Sequence, residues 1–106
     1  MALGGNASEP CGKVPLYRDG AVHVSHHSGA SDWERHLGGD ELVMVIEGTT
    51  TIILLTDDGE VRHFLDEHGL VVVPAGTWHR FDDSDHFKVM AITPQPTEHS
   101  HERPPR

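Results

Sequence analysis

The feature that most constrains this chain is its punctuation. Short runs rich in Val, Ile, Thr and Phe follow one another, and each is closed by Gly, Asp or Pro. No long window carries apolar residues at helical spacing without a Gly or Pro inside it. The runs that read as strands are Ala21–His26, Trp33–His36, Glu41–Glu47, Thr50–Thr56, Val61–Leu65, Leu70–Val73, Thr77–Phe81 and Phe87–Thr93. About eight strands in ~75 residues leave no room for crossover helices, so the sequence predicts an all-β sandwich or barrel. Thr56-Asp57-Asp58-Gly59-Glu60 marks a hairpin, because Asp-Gly supplies the positive φ that a tight turn needs.

Alternation along the strands assigns faces. Thr77, His79 and Phe81 share one face and Trp78 and Arg80 the other. An outward Lys88 turns Phe87, Val89 and Ala91 inward and leaves Met90 and Ile92 on the outer surface. Val43, Val45, Phe81 and Val89 are expected to line a pocket inside the barrel, and Phe64, Phe81 and Phe87 read as core. Trp33, Trp78, Met90 and Ile92 form an outward apolar set that predicts a homodimer. Residues 1–13 read as a flexible N-terminal segment, 14–93 as one barrel domain, and 94–106 as a Pro- and His-rich C-terminal tail.

Charge and cysteine content narrow the partners. Eight Lys and Arg against 17 Asp and Glu leave a net charge of −9, a field that repels phosphate backbones and anionic lipid. Neither nucleic acid nor membrane is therefore expected as a partner. No apolar run approaches the ~20 residues that span a bilayer, and residues 1–11 lack the pattern of a secretion signal. The single cysteine, Cys11, has no partner for an internal disulfide, which fits a cytoplasmic protein. Ten histidines in so acidic a chain invite a metal hypothesis.

Four residues carry that hypothesis. Glu34 and His36 are two apart on one strand, so both project from the same face, roughly 6–7 Å apart along the chain. Gly38-Gly39-Asp40 turns the chain, and Glu41 opens the next strand. His79 arrives from a distant strand after the Pro74-Ala75-Gly76 corner. If those strands share one barrel, two imidazoles and two carboxylates converge inside it, a donor set suited to Mn, Fe, Zn or Ni. Buried acidic side chains need a cation or a proton, which supports the same reading.

The same residues resemble the motifs of the cupins, and in particular of small single-domain cupins. The first cupin motif, G-x5-H-x-H-x(3,4)-E-x6-G, is similar to the stretch from Glu34 through His36 and Glu41 to Gly48. The second, G-x5-P-x-G-x2-H-x3-N, is similar to Pro74-Ala75-Gly76-Thr77-Trp78-His79. The resemblance spans residues 21–93 and departs from the pattern in four places. Glu34 holds the position of the family's first histidine, Ser28 and His68 those of the opening glycines, and Asp83 that of the closing asparagine. It implies a double-stranded β-helix, or jelly-roll barrel, often homodimeric and holding one divalent metal.

Each site residue also has a structural reading. His36 and His79 suit barrel-lining histidines bonded to water, Glu41 a buried acceptor fixing the Gly38-Gly39 turn, and Glu34 a rim charge paired with Arg35 or Arg80. His26-His27 and His99-Ser100-His101 resemble metal-binding tracts but read as solvated. The leading functional expectation is a divalent metal held by Glu34, His36, Glu41 and His79, with Glu34 as a ligand or as a catalytic general base. The chain would then act on, or bind, a small and partly apolar organic molecule, in a dioxygenase-, isomerase- or lyase-like reaction. A non-catalytic small-ligand sensor and a metal-free accessory dimer are the alternatives.

Overall fold

The computed structural model describes residues 16–17, 20–102 and 105. Ten strands form, and there is no helix among the described residues. They are β1 (Leu16–Tyr17), β2 (Gly20–His27), β3 (Trp33–His36), β4 (Glu41–Glu47), β5 (Thr50–Thr56), β6 (Gly59–Leu65), β7 (Leu70–Val73), β8 (His79–Phe81), β9 (Phe87–Pro94) and β10 (Thr97–Ser100). Two five-stranded sheets, ordered β1-β2-β9-β4-β7 and β10-β3-β8-β5-β6, pair antiparallel throughout. The result is a jelly-roll, the all-β architecture that the punctuation predicts.

The inner faces are set by period-two burial. On β9, Phe87, Val89, Ala91 and Thr93 are buried while Lys88, Met90, Ile92 and Pro94 are not. On β4 the buried positions are Glu41, Val43 and Val45. These side chains meet Ile52, Leu54, Leu65 and Val73 from the neighbouring strands, with Val71 and Phe81 packed against them. Each fully buried Val, Ile or Leu contributes about 1.5–3 kcal/mol, so the core between the sheets holds the barrel closed.

Two glycines are required by the backbone they occupy. Gly59 (φ 108°) follows Asp57-Asp58 in the β5–β6 hairpin, where the Thr56 hydroxyl donates to the Gly59 carbonyl at 2.8 Å. Gly48 (φ 80°) carries the chain from β4 in the first sheet to β5 in the second. A Cβ there would lie 2.7 Å from the His86 carbonyl oxygen and 3.1 Å from the Phe87 Cα.

Eight of the ten strands fall where the runs predict them, β3, β4, β5 and β7 with the same ends and β2, β6, β8 and β9 with shifted ones. Strand β8 is shorter than its run because Thr77 and Trp78 belong to the corner before it: the Thr77 amide donates to the Pro74 carbonyl at 3.1 Å. Strand β10 is a correction, since it lies within the segment 94–106 that composition marks as a tail. It pairs residue by residue with β3, and Arg35 on β3 bonds Glu98 on β10 at 2.7 Å. Residues 1–13, including Cys11, lie outside the described residues.

Two aromatic expectations also need correcting. Phe64 is 68% exposed, because β6 is an edge strand with little packed over it. Trp33 is 1% exposed and so is no part of an outward apolar surface; the Arg80 guanidinium lies 5.3 Å over its ring. The outer apolar surface lies on the first sheet instead. Val22, Ile92, Leu42 and Val72 align across β2, β9, β4 and β7, and Met90, Met44 and Leu70 form the next row, which the buried Val24 continues on β2.

Candidate metal centre

The centre forms where the two sheets meet. His36 ends β3, Glu41 opens β4 and His79 opens β8; all three are buried. The corner before His79 explains why a P-x-G-x-x-H stretch puts a histidine here. Gly76 adopts φ 75° and its amide donates to the His36 carbonyl at 2.9 Å. The Ala75 amide donates to Asp40 Oδ1 at 2.9 Å. The corner is thereby tied both to the strand that carries His36 and to the turn that leads into Glu41.

The Glu41 carboxylate spans the two imidazoles. His36 Nε2 lies 3.2 Å from Oε2, and His79 Nε2 lies 3.0 Å from Oε1. The Thr93 hydroxyl donates to Oε2 at 2.6 Å. The His79 Nδ1–H donates to the Thr77 carbonyl at 3.0 Å, which fixes the ring with Nε2 facing Glu41 and the centre. His36 Nδ1 bonds the Thr97 hydroxyl of β10 at 2.9 Å. Its Nε2 is buried against Glu41 Oε2, close but poorly aligned for a hydrogen bond.

Glu34 stands at the rim of the same group. It is opposite His79 in the β3–β8 register and opposite His99 in the β3–β10 register. Its side chain is 42% exposed, and Oε1 lies 3.5 Å from His99 Nδ1, so its neighbour is His99 and neither Arg35 nor Arg80. One ligand atom each from Glu34, His36 and His79 lie within 4.8 Å of one another. This His/Glu/His group can hold a metal ion.

Proton affinities follow from the packing. Burial pushes the Glu41 carboxyl up, but His36 and His79, with Thr93, outweigh it and hold the group at about 2. For His79, burial favours the neutral ring, yet the bond and charge of Glu41 prevail, aided by the Thr77 carbonyl and Glu34. Its pKa is raised. Without a cation, the centre therefore holds a carboxylate shared between imidazoles.

Beside it lies a cavity of about 180 Å³. Val43, Phe81 and Val89 line it, but Val45 does not; it is completely buried in the core. Three residues of β2 that the sequence reading missed complete the lining: His23, Ser25 and His27. They stand two apart, so period-two alternation from Ala21 would have found them, had the adjacent pair His26-His27 not read as a solvated tract. Of the C-terminal histidines, His99 contacts Glu34 and the exposed His101 pairs with Asp32 at 3.0 Å.

Among solved structures, a cupin-2 domain protein from Shewanella frigidimarina shares 25% identity at a TM-score of 0.68, covering 86% of this chain and 84% of its own. A double-stranded β-helix protein from Klebsiella pneumoniae shares 20% identity at 0.69, covering 94% and 91%. Hydroquinone 1,2-dioxygenase from a Sphingomonas species, with 4-hydroxybenzoate bound, shares 18% at 0.66, covering 86% and 68%. No family model matches the sequence, and no curated protein matches it. With the two-sheet double-stranded β-helix and the corner that delivers His79, these likenesses define the class: the chain has the fold of the cupin superfamily.

Proposed function

We propose that this cupin-fold protein binds one divalent cation through Glu34, His36, Glu41 and His79, and that the adjoining cavity receives a small, partly apolar organic molecule. The observation that carries this reading is the convergence of buried donors: His36, braced by Thr97, and His79, braced by Thr77, both turn Nε2 to the Glu41 carboxylate, and Glu34, His36 and His79 each bring one ligand atom within 4.8 Å of the others. Two imidazoles and two carboxylates suit Mn or Fe(II), with Zn and Ni also within reach of the set. The bound ion would supply Lewis-acid polarisation of a ligand oxygen.

The chain's own residues supply the rest. Thr77 and Thr97 orient the imidazoles, Glu41 balances charge, and Glu34, open to solvent on one side, is placed to take up or release a proton. The hydroquinone dioxygenase neighbours, one of them holding 4-hydroxybenzoate, support an organic ligand of that scale. A second reading, a binding protein without turnover, is favoured by the half-exposed Glu34 already paired with His99, which leaves no buried free base. The apolar rows on the first sheet support a homodimer with a second copy of the chain, and sedimentation at micromolar concentration tests it. The single cysteine suits a reducing cytoplasm.

Elemental analysis of protein purified without added metal tests the central claim. One equivalent of Mn, Fe, Zn or Ni per chain is expected, lost in His79→Ala. Metal retained in full by His79→Ala would move the site elsewhere, for instance to His99 and His101.

A further inference from the structure

The cavity has two unlike ends. One is the centre, represented by Glu41 and His79; the other is a stretch of β2 that projects His23, Ser25 and His27 inward. In the first sheet β2 lies two strands from β4, with β9 between them, so the ends are on the order of 10 Å apart. The residue opposite His23 on β9, and opposite Val43 on β4, is Ala91, whose small side chain leaves the space between them open. Apolar walls border that gap, with the Phe81 ring on one side.

The β2 end is rigid. His27 Nε2 bonds Ser25 Oγ at 2.8 Å, and its ring stacks on Phe87 (5.4 Å, 20°) and tilts against Phe81 (5.3 Å, 50°). Burial, with His23 and His26 beside it, lowers the His27 pKa, so the ring is neutral at pH 7. A neutral imidazole offers one donor and one acceptor, and a serine hydroxyl offers both. A hydroxyl group matches that pair. A carboxylate accepts only, finds no Lys or Arg in the lining, and faces the charge of Glu41. The volume also fits a single ring, because an apolar cavity of about 150 Å³ takes up benzene.

We propose that His23, Ser25 and His27 form a polar subsite that receives the hydroxyl of an uncharged, phenol-sized ring compound, whose body lies over Ala91 between Val43 and Phe81. This deepens the reading of the cavity as a ligand site and does not depend on the metal.

The test titrates phenol, toluene and benzoate separately into the protein and follows the ring Cε1–H resonances of His23 and His27. Phenol is expected to shift both and to bind about 10-fold tighter than either other probe, the worth of one well-made hydrogen bond. His27→Leu and His23→Leu should each bring phenol down to the affinity of toluene while toluene still binds. Ser25→Ala, a smaller change, should reduce the preference several-fold if a leucine variant does not fold. Benzoate or toluene matching phenol in the parent protein overturns the proposal, as does a phenol preference that survives both leucine variants. Running the titrations before and after chelation separates the two readings. Absence of metal from untreated protein overturns the metal assignment alone, and absence of a phenol preference from both forms overturns the subsite alone.

Discussion

The two sheets contribute to the centre in opposite ways. The first sheet is built on long pairing: β2 and β9 pair without interruption from Gly20 opposite Pro94 to His27 opposite Phe87, and β4 pairs with β9 from Leu42 to a register shift after Val45. It supplies Glu41 and the Thr93 hydroxyl that bonds it. The second sheet supplies both imidazoles and Glu34 from short strands, and β3 meets β8 at a single pair, Glu34 opposite His79. Side chains on such short elements are held by bonds beyond the backbone ladder: the hydroxyl of Thr97, opposite on β10, on His36, the Thr77 carbonyl on His79, and the Gly76 amide on the His36 carbonyl. Long pairing fixes one ligand through its strand, while bracing fixes the others one by one.

The largest effect should come from removing a braced imidazole. His79→Ala takes away one nitrogen of the group and one partner of Glu41, and it should abolish metal binding as read by titration with Mn or Zn. His99→Ala, at the rim, should leave binding within a few-fold of the parent. Equal loss in both variants would erase the distinction between the seam and its edge.

Next in size is the pH dependence of the metal-free protein. Glu41 is held at about 2 against its ordinary 4.5, so its stabilising contribution is complete above pH 4.5 and lost as pH falls toward 2. His79 is raised above its ordinary 6.5, so its contribution is complete below pH 6.5 and lost as pH rises through the raised value. Stability should therefore peak between about pH 4.5 and 6.5 and fall on both sides, by on the order of 3 kcal/mol on the acid side. Urea midpoints across pH 2–9 measure it. A profile identical in Glu41→Gln would assign the pH dependence to other groups.

A third effect tests how the two sheets are joined. Gly48→Ala forces a side chain into φ 80° and against the His86 carbonyl at 2.7 Å. It should cost about 1–3 kcal/mol in a urea titration. A neutral outcome would mean that the β4–β5 passage bends freely, and that the glycine ending the first motif is dispensable here.

What could be read in advance divides along the same line. Strands β4 and β9 carry their faces in period-two alternation, so Val43, Val89 and Ala91 were legible from spacing alone. His36, Glu41 and His79 were legible because spacing and corner chemistry coincide. Strand β10 was hidden, because its order comes from pairing with β3 and from the Arg35–Glu98 bond, neither of which local composition carries. Phe64 misled for a related reason: an aromatic residue on an edge strand has the same local pattern as one in the core, and only the strand order exposes it. His23 and His27 had the right parity, and the adjacent His26 masked it.

The smallest effect, and the sharpest test of the contrast, concerns Glu34. It lies opposite His79 and occupies the place of the histidine that the first cupin motif carries, yet its carboxylate leans toward His99 at 3.5 Å. A glutamate reaches about as far as a histidine, and one of its oxygens already lies within 4.8 Å of the ligand nitrogens of His36 and His79. Two carboxylates neutralise a divalent ion, whereas three histidines and one carboxylate leave a net +1. The parent should therefore favour Mn or Fe(II), and Glu34→His should shift preference toward Zn and Ni. Glu34→Gln keeps the shape and removes the charge, so affinity should fall about 10-fold, by analogy with losses measured even for residues that only support a ligand. Titrating the parent and both variants with Mn, Fe, Ni and Zn separates the cases. If Glu34→Gln matches the parent for every metal, Glu34 belongs to the rim with His99, and His36, Glu41 and His79 constitute the whole site.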